Sequence, residues 1–281
     1  IFIISQITPR KKTYWIKLGI AIGFLLPPVI VKNHDNLEAI GEDLSIMYYG
    51  MATFTTVLLV LIIIFFKAQP PLPPSFAQAE QRANEESDFV GSLKRLFLNP
   101  RYVLLVVSYG INVGVFYAIS TLLNQVVLLY YPNGEEDAGR IGLLMVLAGM
   151  VGSVASGIVL DKTHRFKETT TALYVFSLLG MVVFMFTLDT GLIGVVYCTG
   201  ALLGFFMTGY LPVGFELAAE LTYPEPEGTS AGILNAAAQV FGIMLTNLYS
   251  WMLDITTDMW ANGAMCIALV VGIILTALIK I

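Results

Sequence analysis

The sequence predicts an all-α transmembrane protein with about eight spanning helices, and three observations carry that prediction. The first is composition. Charged residues are 12% of the 281 and apolar residues 57%, with a mean hydropathy of +0.78. A soluble domain averages roughly 25% charged residues, so too little charge is present to clothe a water-facing surface and lipid must be part of the solvent. The second is segmentation. Eight stretches lack Asp, Glu, Lys, Arg and His: Leu18–Val31, Leu44–Phe66, Tyr102–Tyr131, Ile141–Leu160, Thr169–Leu188, Thr190–Phe215, Gly228–Leu253 and Met259–Ile279. All but the first reach the ~20 residues a spanning helix needs. The third is the sidedness of charge. With the N-terminus cytoplasmic and the helices alternating, 13 of the 15 basic residues fall inside and only Lys32 and Arg140 outside. That bias fits the positive-inside rule and leaves both termini cytoplasmic.

Taken in order, the first stretch is short, contains Pro27 and Pro28, and spans only if Tyr14–Lys17 join it. Leu44–Phe66 is a full span. Ala68–Pro100 is a long cytoplasmic segment headed by Pro70, Pro71, Pro73 and Pro74, a composition that favours extended, semi-rigid chain. Phe89, Val90, Leu93, Leu96 and Phe97 follow at helical spacing around Lys94 and Arg95. Two readings stand side by side: an amphipathic helix on the inner membrane face, or an ordinary loop helix packed on neighbouring helix ends. Tyr102–Tyr131 holds Gly110, Asn112, Gly114, Asn124 and Gln125, which predicts a helix loosened in its middle where it lines a cavity. Five further spans complete the chain. The organisation is thus two helices in residues 1–66, a linker in 67–100 and a six-helix bundle in 101–281.

Several function classes fall away. A net charge of −5 argues against nucleic acid as a partner, because phosphate binding needs a basic face. Cys198 and Cys266 both sit in apolar runs, so no disulfide framework is expected. Ile1–Thr8 is apolar but too short to span and lacks a charged leader, so it does not read as a signal peptide. Gly228, Ser230 and Gly232 match a G-x-S-x-G pattern, but both histidines, His34 and His164, lie upstream in loops on opposite sides. A nucleophile elbow needs strand–turn–helix context and a downstream acid and histidine. We expect no enzyme, no catalytic residues, no cofactor and no metal site; Ser230 and its neighbours read as the polar start of a spanning helix.

Other residues point to conformational change and binding. The run GIVLDKTHR, Gly157 to Arg165, matches the loop pattern of the major facilitator superfamily: Gly, three residues, Asp, then basic residues. Gly157 allows close helix approach, while Asp161 is suited to cap a helix N-terminus and to pair with Lys162 or Arg165. Gly149, Gly152 and Gly157, then Gly200, Gly204 and Gly209, recur at close-packing spacing. Glu216 and Glu220, one turn apart after Pro212, fall at a cytoplasmic end and read as gating or surface groups. Acids and bases are missing from mid-membrane, which favours facilitated movement over ion coupling. What remains there is neutral and polar: Asn112, Tyr117, Ser120, Thr121, Asn124 and Gln125 on one helix, Asn235 and Gln239 on another. For each of these, interhelical hydrogen bonding competes with a role in a pocket. Aromatic faces with a neutral amide suit a quaternary ammonium ion, which donates no N–H bonds and is held by cation–π attraction of about 0.5–2 kcal/mol per ring; the amide can take a hydroxyl at the ligand's other end.

At these residues the chain resembles the feline leukaemia virus subgroup C receptor family of the major facilitator superfamily. The likeness runs from Leu18 to Lys280 through LGIAIGFLLPP (Leu18–Pro28), STLLN (Ser120–Asn124), AGRIGL (Ala138–Leu143), GFFMTGYLP (Gly204–Pro212) and YPEPEGT (Tyr223–Thr229). It implies a multi-pass, alternating-access transporter, most simply in the plasma membrane. The implied substrate is choline, ethanolamine or heme. By the same likeness Tyr117 corresponds to the family's aromatic choline contact, Gln239 in LNAAAQ to its glutamine on helix eleven, and Phe116 adjoins the same cage. The family has twelve helices and this chain resembles helices five to twelve, so residues 1–66 read as the remnant of an N-terminal bundle in a chain truncated at its N-terminus. The family's ligand-facing Trp on helix one has no counterpart, and Lys17 stands where the family has a second glutamine. The implied partners are the small-molecule substrate, the lipid bilayer, and a partner or further N-terminal helices that complete the cavity. Heme transport, and a non-transporting receptor-like or regulatory role, stand as the alternatives.

Overall fold

The computed structural model describes residues 19, 22–24, 26–32, 37–65 and 89–279. The proline-rich stretch and Lys17 lie outside them. Among the described residues, seven helices are long and apolar enough to cross a membrane. They are α1 (Leu37–Phe65), α3 (Pro100–Tyr130), α4 (Glu135–Thr163), α5 (Phe166–Thr187), α6 (Ile193–Thr222), α7 (Glu227–Ile255) and α8 (Asp258–Leu278), with the short α2 (Phe89–Leu98) ahead of α3. The apolar stretches read from the sequence form the middles of these helices, and polar or charged residues extend their ends. Of the first stretch, residues 22–24 and 26–30 are helical. Gly228–Gly232 lies in the opening turns of α7, not on a strand-to-helix elbow.

Helix α3 departs from expectation. Its glycines and amides predict a loosened middle, but Pro100–Tyr130 is one continuous helix. Its start is well specified: Pro100 takes the first helical position, and the Asn99 side chain accepts from the N–H groups of Arg101 and Tyr102. Gly110 and Gly114 are not breaks but contact points. A β-carbon on Gly114 would lie 2.9 Å from the Phe241 backbone carbon, and one on Gly110 would enter the Phe241 ring. The glycines let α7 close onto α3, and the packed partner holds the helix that their missing side chains would otherwise weaken.

The same device joins α4 to α6, the most extensive helix pair of the bundle. A β-carbon on Gly204 would run into the Met145 carbonyl, 2.7 Å from its carbon, one on Gly152 would lie 2.9 Å from the Phe205 carbonyl carbon, and one on Gly209 3.1 Å from Gly152. Backbones so close bring hydroxyls within reach of the opposite helix: Ser153 donates to the Thr208 carbonyl at 3.0 Å and Ser156 to the Gly209 carbonyl at 2.8 Å. Helix α5 packs on α6, and α8 bridges α5 and α3. The described part of the first stretch leans on α4, since a β-carbon on Gly142 would meet the Phe24 ring at 2.8 Å. By contrast, none of the most hydrophobic window of α1 is buried in the structure.

Buried polar bonds pin the bundle at both ends. Tyr102 donates to the Ser230 carbonyl at 2.7 Å, Tyr174 to the Ser108 carbonyl at 2.8 Å and Tyr249 to Asn262 at 2.7 Å. At the opposite end from α2, Tyr130 donates to Asp258 and Tyr197 to Asp137. The α2 end has an ion pair instead. Arg95 reaches Glu225, in the α6–α7 turn, at 2.5 Å, and Ser92 donates to the same carboxylate at 2.5 Å. Arg95 and Ser92 hold the Glu225 carboxyl below its ordinary range.

Two outcomes follow from this packing. Gly204→Val should lower the melting temperature in detergent sharply, by an overpacking penalty of about 1–3 kcal/mol or more. Gly228→Ala, with nothing within 4 Å of the added carbon, should leave it unchanged. For the Glu225 clasp, the folded-state value is lowered, so its contribution is complete above the ordinary carboxylate value of about 4.3 and is lost as pH falls through the lowered value. Half of the Arg95 side chain is in solvent, so the contribution is at most about 1 kcal/mol. Protease cleavage in α2 should therefore rise on acidification below about pH 4, and in Arg95→Ala it should be high at neutral pH as well.

Candidate functional site

Helices α3 and α7 are bound along one flank and part along another, leaving a cleft of about 420 Å³. Tyr117 and Thr121 line it from α3, one turn apart. Gln239, Gly242, Ile243, Thr246 and Asn247 line it from α7. Residues 239, 243 and 247 form one face of a helix, with 242 and 246 beside them. The sequence therefore draws two stripes, and the packing of Gly110 and Gly114 on Phe241 sets them facing each other.

Gly242 positions the aromatic wall. It is buried, and a β-carbon there would lie 2.8 Å from Cδ2 of Tyr117. The Tyr117 ring thus lies on the α7 backbone with its remaining surface toward the cleft. Gln239 is exposed, without a hydrogen bond among the described residues, so its amide keeps both donor and acceptor capacity. Asn247 donates back to the Ile243 carbonyl at 2.8 Å, leaving its amide oxygen available. The lining combines an aromatic ring, a Thr pair and two amides, with no formal charge. Such a lining can hold a cation by ring attraction and a hydroxyl by an amide.

Tyr117 and Gln239, separated by more than a hundred residues, thus come together. The other candidates take different places. Phe116 is buried behind Tyr117, ring centroids 6.5 Å apart, and does not line the cleft. Asn112 is fully buried, its two amide atoms without hydrogen-bond partners among the described residues, one helical turn before Phe116 and away from the cleft wall. Asn235 is exposed one turn from Gln239 on the same side of α7. Gly157, Asp161 and Lys162 lie in the last turns of α4, and His164 closes that helix in the left-handed conformation. Arg165 follows and lies 3.6 Å from Glu168. Glu216 and Glu220 are exposed on the last turns of α6, after Pro212, which α6 accommodates without ending. These groups share the end of the bundle that carries α2, remote in sequence depth from the cleft.

Thr121 is among the neutral polar residues that the sequence places at mid-membrane, whereas Gly242, Thr246 and Asn247 were not singled out. Thr121 follows Tyr117 by four residues and Asn247 follows Gln239 by eight, so extending each stripe by whole turns finds them. Gly242 carries no such signal, because its part is to be absent where a ring must lie.

The model of the Major Facilitator Superfamily matches residues 15–246. The human choline/ethanolamine transporter FLVCR2 is 50% identical over 94% of this chain, and the match covers 51% of that protein. The cat choline/ethanolamine transporter FLVCR1 is 51% identical over 94% of this chain and 48% of its own length. The chain therefore spans about half the length of the curated relatives it matches. Among solved structures, the Escherichia coli fucose:proton symporter FucP superposes with a TM-score of 0.61 at 16% identity, covering 94% of this chain and 65% of that one; this is a likeness of fold.

Gly242→Val should displace the Tyr117 ring and weaken stabilisation of the purified protein by tetramethylammonium about tenfold, equivalent to about 1.4 kcal/mol. Thermal melts against ligand concentration read the change.

Proposed function

The chain belongs to the major facilitator superfamily, and from that premise we propose that it facilitates movement of choline- and ethanolamine-like cations across a membrane by alternating access. The observation that carries the proposal is the meeting of Tyr117 and Gln239 across one uncharged cleft between α3 and α7. A trimethylammonium group has diffuse charge and no N–H donors. It is matched by the face of Tyr117, and the hydroxyl at its far end is matched by the Gln239 amide. The relatives at about 50% identity, which are choline/ethanolamine transporters by name, support the same substrate class.

In this reading Phe116 backs Tyr117, Asn235 lies on the approach to Gln239, and Asn112 is a buried amide available to a substrate-dependent rearrangement. Gly157, Asp161, Lys162 and Arg165, with Glu216 and Glu220, act at the cytoplasmic end as conformational latches. Residues 101–281 form one rocking unit, residues 1–66 belong to the opposing one, and 67–100 link them. The excess of basic residues on one side supports cytoplasmic termini, and the plasma membrane is the simplest site for uptake of such cations. The protein is a carrier and not an enzyme. Gates of this kind need no chemistry: only the differential stability of two packings has to change with substrate bound.

Uptake of labelled choline in cells expressing the protein tests the reading. Tyr117→Ala and Gln239→Ala should each reduce it about tenfold or more at matched surface levels, in line with loss of one cation–π or hydrogen-bond contact. Unchanged uptake in both variants would overturn it. Because no Asp, Glu, His, Lys or Arg lines the cleft, uptake should follow an imposed membrane potential and ignore an imposed pH gradient between about pH 6 and 8.

A further inference from the structure

Helix α2 has two unlike flanks. Around a helix of 3.6 residues per turn, Ser92, Arg95 and Leu96 gather on one flank and Phe89, Val90, Leu93 and Phe97 on the adjoining one. The first flank is docked: Ser92 and Leu96 are buried, and Arg95 is held by Glu225. The second is bare. Phe89 is 60% exposed, Val90 74% and Phe97 56%. Exposed aromatic and aliphatic side chains on one side of a ten-residue helix are not explained by packing among the described residues.

The position of α2 says what lies against that flank. One residue, Asn99, separates it from the spanning helix α3, and its clasp is to the turn between the spanning helices α6 and α7. It is thus held at the level where the spans leave the bilayer. Tyr223, 85% exposed and two residues from Glu225, adds an aromatic ring of the kind that sits at a headgroup boundary. Charges of both signs lie at this end: Glu216, Glu220 and Glu227 are exposed there, Arg95 and Arg165 face Glu225 and Glu168, and Lys94 is the basic group beside the bare flank. Lys94 borders the bare flank and is exposed, and Arg101 is exposed at the start of α3. Lys162 and Arg165, at the same end of the bundle because α4 runs back along α3, are exposed as well.

We propose that α2 is a lipid-binding element that inserts Phe89, Val90 and Phe97 into the leaflet on the basic side of the bundle, with Lys94 against anionic headgroups. The long stem of Lys94 lies along apolar surface while its ammonium reaches the headgroup layer. The Glu225 clasp gives this insertion its direction. By engaging Arg95 on the docked flank it fixes the rotation of α2, so that the apolar flank meets lipid and not water. The same clasp couples the leaflet to the α6–α7 turn, and so to the start of the helix that carries Gln239. None of this depends on which substrate the cleft takes.

Single nitroxides at Val90→Cys, Phe97→Cys and Lys162→Cys, on a Cys198→Ser, Cys266→Ser background, read the proposal in the reconstituted protein. Positions 90 and 97 are exposed, so the labels do not disturb the fold. In vesicles of phosphatidylcholine, labels at 90 and 97 should be more accessible to oxygen than to a water-soluble nickel chelate, and the label at 162 the reverse. Adding about 30% phosphatidylserine should raise the oxygen-to-nickel ratio at 97 several-fold, and Lys94→Gln should remove that rise. Labels at 90 and 97 that are open to nickel in both lipids overturn the proposal. So does shielding from both reagents, which means a second protein surface covers the flank, and so does a ratio indifferent to phosphatidylserine.

Discussion

Backbone-to-backbone contact through glycine is the constraint on which this structure rests. In lipid, burying a leucine against another helix gains little over leaving it in acyl chains, so apolar area does not hold helices together as it does in water. What remains is dispersion at close range and hydrogen bonds that no solvent competes for. Gly149, Gly152, Gly204 and Gly209 bring α4 and α6 close enough for both, and Ser153 and Ser156 then reach carbonyls of the opposite helix. Gly110 and Gly114 do the same for α3 against α7, and Gly272 receives the Tyr174 hydroxyl.

The cleft is a consequence of that constraint. Because α3 and α7 touch along the line of Gly110, Gly114 and Phe241, the neighbouring faces of the two helices diverge, and Tyr117 and Gln239 stand on the diverging sides. Gly242 continues the pattern, with one difference: the space it leaves is filled by the Cδ2 edge of the Tyr117 ring and not by backbone. A contact rule that assembles the bundle thereby orients the aromatic surface that a cation would meet. Close-packed helices joined by small residues also slide with little steric resistance. Polar bonds resist sliding both at the helix ends, in Tyr102, Tyr130, Tyr197, Tyr249 and the Glu225 clasp, and along the α4–α6 interface, in Ser153 and Ser156.

Much of the architecture is legible in the residues. Lipid as solvent follows from scarce charge, and the spans from the length of uncharged stretches. The glycine spacing of α4 and α6 names an interface before its partner is known. The expectation for α3 misled because Gly110 and Gly114 are read locally as weak points, while the packed structure uses them as the seat of Phe241. Asn112 and Gln239 are alike in sequence, each an amide in an uncharged, mostly apolar stretch. Only the rotation of their helices makes one a fully buried group and the other part of the cleft wall.

That division has a physical origin. Hydropathy and charge act between each residue and its solvent, so they can be read one segment at a time, and the sequence by itself determined an all-helical membrane protein. Which helices touch, and on which faces, depends on surfaces from segments far apart in the chain meeting within a few tenths of an ångström. No single segment carries that information. The union of Tyr117 with Gln239, the seating of that ring on Gly242, and the docking of α2 on Glu225 were decided only by the tertiary structure.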